Sequence, residues 1–121
     1  MFTISVESQF QASHRLTLPD GSKEPLHRHD WMVVIKVSSE KLDSMGLVMD
    51  FGQLKATVNE ITSGLDGARL CDVSYFHRNN SSAENVAKYI FDELEPKLPS
   101  GVELRSVKVV EEPGCSARFS R

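Results

Sequence analysis

Three of the chain's four histidines, His14, His27 and His29, are spaced so that they can share one ligand sphere. Alternate residues of a strand point to the same face, so His27 and His29 can act together. Between His14 and His27 lies Pro19-Asp20-Gly21-Ser22, a strong turn signal. If that turn tips an antiparallel hairpin centred between Asp20 and Gly21, residues i and 41−i face each other and His14 falls opposite His27. A bulge or irregular tip would shift this register by one residue. Three imidazoles converging on one point, with a fourth position open, suit a catalytic zinc ion.

The elements that must position these residues follow from periodicity. Residues 2–13 alternate apolar and polar as a half-buried strand, and 30–39 are rich in β-branched residues and form a second. Asp50 is expected to cap a helix, with Gln53 in the capping-box position and Leu54, Val58, Ile61 and Leu65 as its apolar stripe. Gly64 is its expected stop, and residues 66–80 read as an irregular connection. Ser81 to Glu84 forms a second capping box, opening a helix with Val86, Ile90, Phe91 and Leu94 that Pro96 closes. Residues 102–112 and 115–120, joined at Pro113-Gly114, complete the set. The order ββααββ predicts an α+β domain spanning 1–121: two hairpins in a four-stranded antiparallel sheet, both helices on one face. Such a sheet keeps two edges, and edges need cover, so oligomerisation through them is expected.

Composition narrows the function classes. With 121 residues, 40% hydrophobic and 26% charged, the chain can bury a modest core. The net charge is −3 and there is no basic run, which argues against a nucleic-acid partner. No apolar run is long enough to span a bilayer. The start Met1-Phe2-Thr3-Ile4-Ser5 lacks the features of a secretory signal, so a cytoplasmic location is expected. Cys71 and Cys115 are too few for a disulfide framework and are expected as small buried residues of a reducing compartment.

Several motifs, in order, resemble the 6-pyruvoyl-tetrahydropterin synthase and 6-carboxy-tetrahydropterin synthase family. They are Gln11-Ala12-Ser13-His14-Arg15-Leu16, Leu26-His27-Arg28-His29, Gly46 to Phe51 with Leu54-Lys55, Ser82-Ala83-Glu84-Asn85-Val86-Ala87, and Val109-Val110-Glu111-Glu112-Pro113. Together they cover about Ile4 to Phe119. The resemblance implies a tunnelling fold, with trimers that close a barrel and pair into hexamers. It also implies sites at protomer interfaces, zinc on His14, His27 and His29, and a pterin substrate anchored by Glu111.

The chain departs from the family pattern at three positions. No cysteine stands in Asp20 to Leu26, where the family has its base. Asp66 of the family's Asp-His pair is present, but Gly67 follows it. Arg28 occupies the glycine position between the zinc histidines and would add a cation at the site mouth. A subgroup of the family carries a glutamate three positions before the first histidine of His-X-His, where Glu24 stands. That subgroup resembles a route to folate, cleaving the side chain of 7,8-dihydroneopterin triphosphate to 6-hydroxymethyl-7,8-dihydropterin.

Glu24 is therefore the candidate replacement base, and Asp66 a candidate orienting group. His77, after the first helix, could restore acid–base function from this or a neighbouring protomer, and Cys71 lies in the same loop. Glu111 would accept paired hydrogen bonds from the pterin amino group and ring N–H; Glu112 points to the other face, so a one-residue slip exchanges them. Arg15, Lys23 and Arg28 could pair with a triphosphate or carboxylate. Two readings stay open: a zinc-dependent lyase acting on a dihydropterin side chain, and a zinc-containing binding protein for a pterin- or purine-like ligand that lost the chemistry. An enzyme for a related substrate with rearranged bases is a third.

Overall fold

The computed structural model describes residues 1–121. Its elements are β1 (Phe2–His14), β2 (His27–Ser39), α1 (Phe51–Ser63), α2 (Ala83–Leu94), β3 (Glu103–Glu112) and β4 (Cys115–Phe119). Short 3₁₀ turns cover Leu70–Asp72, Ser74–His77 and Glu95–Lys97. The four strands form one antiparallel sheet in the order β1-β2-β3-β4.

Alternation decides which face is covered. On β1 the buried set is Val6, Ser8, Phe10, Ala12 and His14; on β2 it is Trp31, Val33, Ile35 and Val37, joined by Ser38 just past a register shift at Lys36/Val37. The helices supply Leu54 and Val58 from α1 and Val86, Ala87, Ile90, Phe91 and Leu94 from α2. The apolar ones among them, with Val48, Met49, Leu65, Leu70, Phe76, Leu104, Val107 and Val109, make one 22-residue core between the sheet and the helices. His14 continues the Phe10–Ala12 row, and His27 and His29 continue the Trp31–Val33 row. The histidines are thus the last rungs of the core face.

In β1–β2 every pair from Phe2↔Ser39 to His14↔His27 sums to 41. The tip departs from that register. Thr17 pairs with Lys23, and the Glu24 N–H donates to the Leu16 carbonyl, pairs that sum to 40. The returning arm therefore holds one extra residue at Pro25-Leu26, where proline has no N–H to pair. Gly21 takes φ +87° at the turn, a conformation other residues resist.

Local signals placed the helices within a residue or two. The Asp50 carboxylate accepts the Gln53 N–H at 2.9 Å. For α2 the cap is Ser82, whose hydroxyl accepts the Asn85 N–H at 3.2 Å, not Ser81 as the Ser-x-x-Glu spacing suggests. Pro96 does not stop α2 abruptly; it sits early in a 3₁₀ turn, where its missing N–H costs nothing. On α1, Thr62 is buried in place of Ile61 because it meets the Ser8 hydroxyl at 2.9 Å.

Two expectations are corrected. Residues 66–80 are ordered rather than irregular: the Gly67 N–H donates to the Gln11 carbonyl, the Ser13 N–H to the Ala68 carbonyl, and two 3₁₀ turns follow. This segment covers the outer edge of β1 at Gln11–Ser13 and leaves the remainder of that edge, and the outer edge of β4, without a strand partner. The cysteines are not core residues: Cys115 is exposed and Cys71 only partly buried. No helix is long and apolar enough to cross a membrane.

Candidate metal and ligand site

The imidazoles of His14, His27 and His29 form a near-equilateral cluster, with ring centroids 4.4, 5.2 and 4.8 Å apart. One ligand nitrogen from each lies within 4.8 Å of the others. Two nitrogens on a tetrahedral zinc sit roughly 3.3 Å apart, from Zn–N distances of about 2.05 Å. The rings would therefore close slightly on an ion. Trp31 floors the cluster, its ring centroid 4.9 Å from that of His14, and its indole N–H donates to the Ala12 carbonyl.

Outer contacts set which nitrogens face inward. His14 Nδ1 lies 2.6 Å from the Ser81 carbonyl, and His27 Nδ1 lies 3.0 Å from the Pro25 carbonyl. A carbonyl only accepts, so each Nδ1 carries the proton and each Nε2 presents a lone pair. The Nε2 atoms of His14 and His29 are buried with no hydrogen-bond partner. His14 is only 2% exposed, and burial pushes its pKa below the ordinary value; the Ser81 carbonyl and Glu111 oppose the shift, and the other two histidines add to it. A neutral imidazole is the form that binds metal.

Glu111 brings a carboxylate to the same point, with Oε1 3.2 Å from His14 Nε2. That contact is not aligned as a hydrogen bond, since His14 Nε2 has no partner. Lone pairs from an imidazole and a carboxylate at this distance repel unless a cation or proton lies between them. Glu111 continues the Val107–Val109 row of β3 toward the histidines, and it is the extra, unpaired residue where the β3–β4 register shifts between Val110 and Glu112. The orphaned nitrogens, the fixed tautomers and the carboxylate together fit a divalent metal ion.

The other residues singled out by sequence are dispersed. Glu24 Oε1 accepts the Leu16 N–H at 3.0 Å in the hairpin tip. Arg28 lies on the opposite face of the sheet from His27 and His29, donating to the Gln11 side chain. Asp66 Oδ1 accepts the Gln11 N–H at 2.9 Å, on the β1 edge. His77 lines a separate cavity with Arg15, Lys23 and Cys71. Within one protomer, only Glu111 joins the histidine cluster.

Three participants escaped sequence reading. Glu84 and Cys115 line a depression of about 380 Å³ together with Glu111 and Leu16. In the sequence Glu84 stands out only as the acidic end of the second capping box, within Ser82-Ala83-Glu84-Asn85. The Ser81 carbonyl, a main-chain atom 67 residues from His14, has no sequence signal at all.

Comparison with known proteins places this geometry. The model of the family described as 6-pyruvoyl tetrahydropterin synthase matches residues 3–121. The chain is 39% identical over 122 residues to a human 6-pyruvoyl tetrahydrobiopterin synthase, covering 89% of this chain and 83% of the relative. It is 27% identical over 126 residues to a Rickettsia felis 6-carboxy-5,6,7,8-tetrahydropterin synthase, covering 88% and 91%. Its fold resembles that of the Caenorhabditis elegans 6-pyruvoyl tetrahydropterin synthase, with TM-score 0.86, 26% identity and coverage of 99% and 95%. It is also similar in fold, with TM-score 0.76, 19% identity and coverage of 99% and 97%, to a Plasmodium vivax 6-pyruvoyltetrahydropterin synthase in which a glutamate catalytic residue is replaced by alanine.

Proposed function

We propose, from the premise that this chain belongs to the 6-pyruvoyl tetrahydropterin synthase family, that it is a zinc-dependent lyase acting on the side chain of a 7,8-dihydroneopterin triphosphate-like substrate. The observation that carries this reading is the convergence of three imidazole nitrogens and the Glu111 carboxylate on one point.

His14, His27 and His29 would hold the zinc, with His14 and His27 oriented by the Ser81 and Pro25 carbonyls. A zinc ion so held would supply Lewis acidity toward oxygens of the substrate side chain. Glu111 would accept the pterin amino and ring N–H groups, and its contact with His14 ties the ring's position to the metal site. Glu84, on the same depression, adds a second acceptor at the first turn of α2.

Glu24 is the proposed proton carrier. Its Oε1 is held by the Leu16 N–H, which leaves Oε2 free to exchange a proton. Leu16 lines the depression that holds Glu111, so the carboxylate is one residue removed from the ligand's expected position. The P. vivax protein of the same fold has a glutamate described as a catalytic residue, in keeping with a carboxylate in this role. Asp66 and Arg28 both engage Gln11, away from this protomer's triad; their proposed part in chemistry is at a neighbouring protomer's site. The free lengths of the β1 and β4 edges support assembly into a trimer or hexamer.

A second reading is favoured by one specific feature: residues 20–26 contain no cysteine and Gly67 follows Asp66. In that reading the chain binds a pterin- or purine-like ligand without turnover. Incubation with 7,8-dihydroneopterin triphosphate, followed by chromatography of the pterin products, separates the two. No product at high protein concentration, with tight pterin binding by fluorescence, would overturn the lyase reading.

A further inference from the structure

A cavity of about 450 Å³ opens at the end of the sheet opposite the histidines. Its walls include Ser38 at the close of β2, Glu40 and Lys41 in the turn that follows, Val102 and Glu103 where β3 begins, and Met1. At about 3.3 Å per residue, the length of β2 separates it from His27 by roughly 40 Å. Its volume falls in the range of small-molecule sites, about 300–1,000 Å³.

The polar groups around it are unpaired. Ser38 is fully buried, and its hydroxyl has no hydrogen-bond partner. Strand alternation would not bury Ser38 beside Val37; both are buried because the β2–β3 register shifts there, Lys36 pairing with Ser106 and Val37 with Leu104. A buried hydroxyl left without a partner costs stability, and a ligand that meets it recovers that cost. Glu40 and Lys41 line the same cavity and take part in none of the chain's ion pairs. Glu103, the cross-strand partner of Ser38, has only Arg105 at 3.4 Å, and that pair is exposed. The turn itself is held in place, since the Ser39 hydroxyl donates to the Lys41 carbonyl at 2.7 Å and accepts the Lys41 N–H at 3.3 Å.

A free cation, free carboxylates, a buried hydroxyl and apolar surface from Met1 and Val102 suit a molecule that carries both charges on an apolar body. A simple anion would meet Glu40 and Glu103, and a simple cation would meet Lys41. We infer that this cavity binds a free amino acid with an apolar side chain. Its carboxylate pairs with Lys41, and its ammonium group with Glu40 and Glu103, donating one N–H to the Ser38 hydroxyl. Its side chain lies on Met1 and Val102. Nothing in this inference rests on the metal or on a pterin.

Calorimetric titration of the full-length protein with L-leucine, L-methionine and L-valine tests this. One saturable site per protomer is expected for at least one of the three, and it should persist after chelator treatment. Lys41→Gln and Glu40→Gln should each weaken it at least about tenfold, the loss of one charge-assisted hydrogen bond. Ser38→Ala should weaken it as well while leaving the ligand-free melting temperature unchanged or higher, because it removes an unpaired buried hydroxyl. Glu40 and Lys41 are exposed, so their variants keep the test available if Ser38→Ala fails to fold. Isocaproate and isoamylamine share the leucine side chain but lack the ammonium and the carboxylate respectively, and glycine lacks the side chain; all three should bind more weakly than leucine. No saturable binding by any of the three amino acids would overturn the inference. So would binding unchanged in both Lys41→Gln and Glu40→Gln, isocaproate binding as tightly as leucine, or binding lost on removal of the metal.

Discussion

His14 Nδ1 lies 2.6 Å from the carbonyl oxygen of Ser81, joining the end of β1 to the residue before the α2 cap. This one contact fixes a tautomer, orients a ring and ties the site to a helix. Because the cap hydroxyl belongs to Ser82, the Ser81 backbone stays outside the helix and its carbonyl is available to His14.

The metal is expected to contribute to stability. Chelation should lower the melting temperature, and returning zinc at about a hundred times its Kd should restore roughly 2.7 kcal/mol. His29→Ala removes one of three nitrogens and should abolish the zinc response, with affinity falling at least about a hundredfold by competitive chelator titration. Zinc absent from the purified protein, and not taken up on addition, would remove the basis of the site.

The metal-free protein should lose stability on acidification. Burial holds the folded His14 pKa below the value of about 6.5 that the unfolded chain would show. Below that value the unfolded state binds a proton that the folded state does not yet accept, so unfolding is favoured. Stability is therefore present above about pH 6.5 and is lost as pH falls toward the lower folded value. Melting curves from pH 8 to 5 should show this slope in the wild type and a shallower one in His14→Gln.

Glu111→Gln keeps the side chain's size and removes its charge. Replacing a bidentate ionic acceptor should weaken pterin binding roughly 10- to 100-fold. Zinc stoichiometry should stay at one per protomer. Fluorescence titration with a dihydropterin reads the first, and metal analysis the second. Unchanged pterin affinity would transfer the anchor role to another residue, with Glu84 next in line.

Glu24→Gln can still accept the Leu16 N–H, so the hairpin tip should fold normally. As a general acid–base its loss should cost about 10²–10⁴ in turnover with little change in pterin affinity. A rate equal to wild type would exclude Glu24 as the proton carrier.

Ser82→Ala removes the α2 cap and should cost about 1 kcal/mol. For a chain of this size that is a fall of about 3–6 °C in melting temperature. Since α2 also presents Ser81 to His14, the same variant should loosen zinc binding measurably.

The sheet, the helices and the histidine cluster are legible in the order of the residues, because each rests on short-range periodicity. Strand alternation and one turn set the 41 register, and that register alone put His14 across from His27. The same alternation sends Arg28 to the face away from His27, a consequence open to sequence reading although the resemblance pointed elsewhere. The shift by one residue in the α2 cap was not decidable locally, since Ser81 and Ser82 are both good caps and His14 breaks the tie from 67 residues away. What faces the triad follows from contacts between distant segments. The packing of β3 beside β2 brings Glu111 within 3.2 Å of His14, and a main-chain carbonyl orients the ring. Arg15, Lys23 and His77 come from both arms of the hairpin tip and the loop before α2, and only folding gathers them around one cavity. Those features depend on contacts between distant segments and on backbone atoms, and neither leaves a periodic trace in the order of the residues.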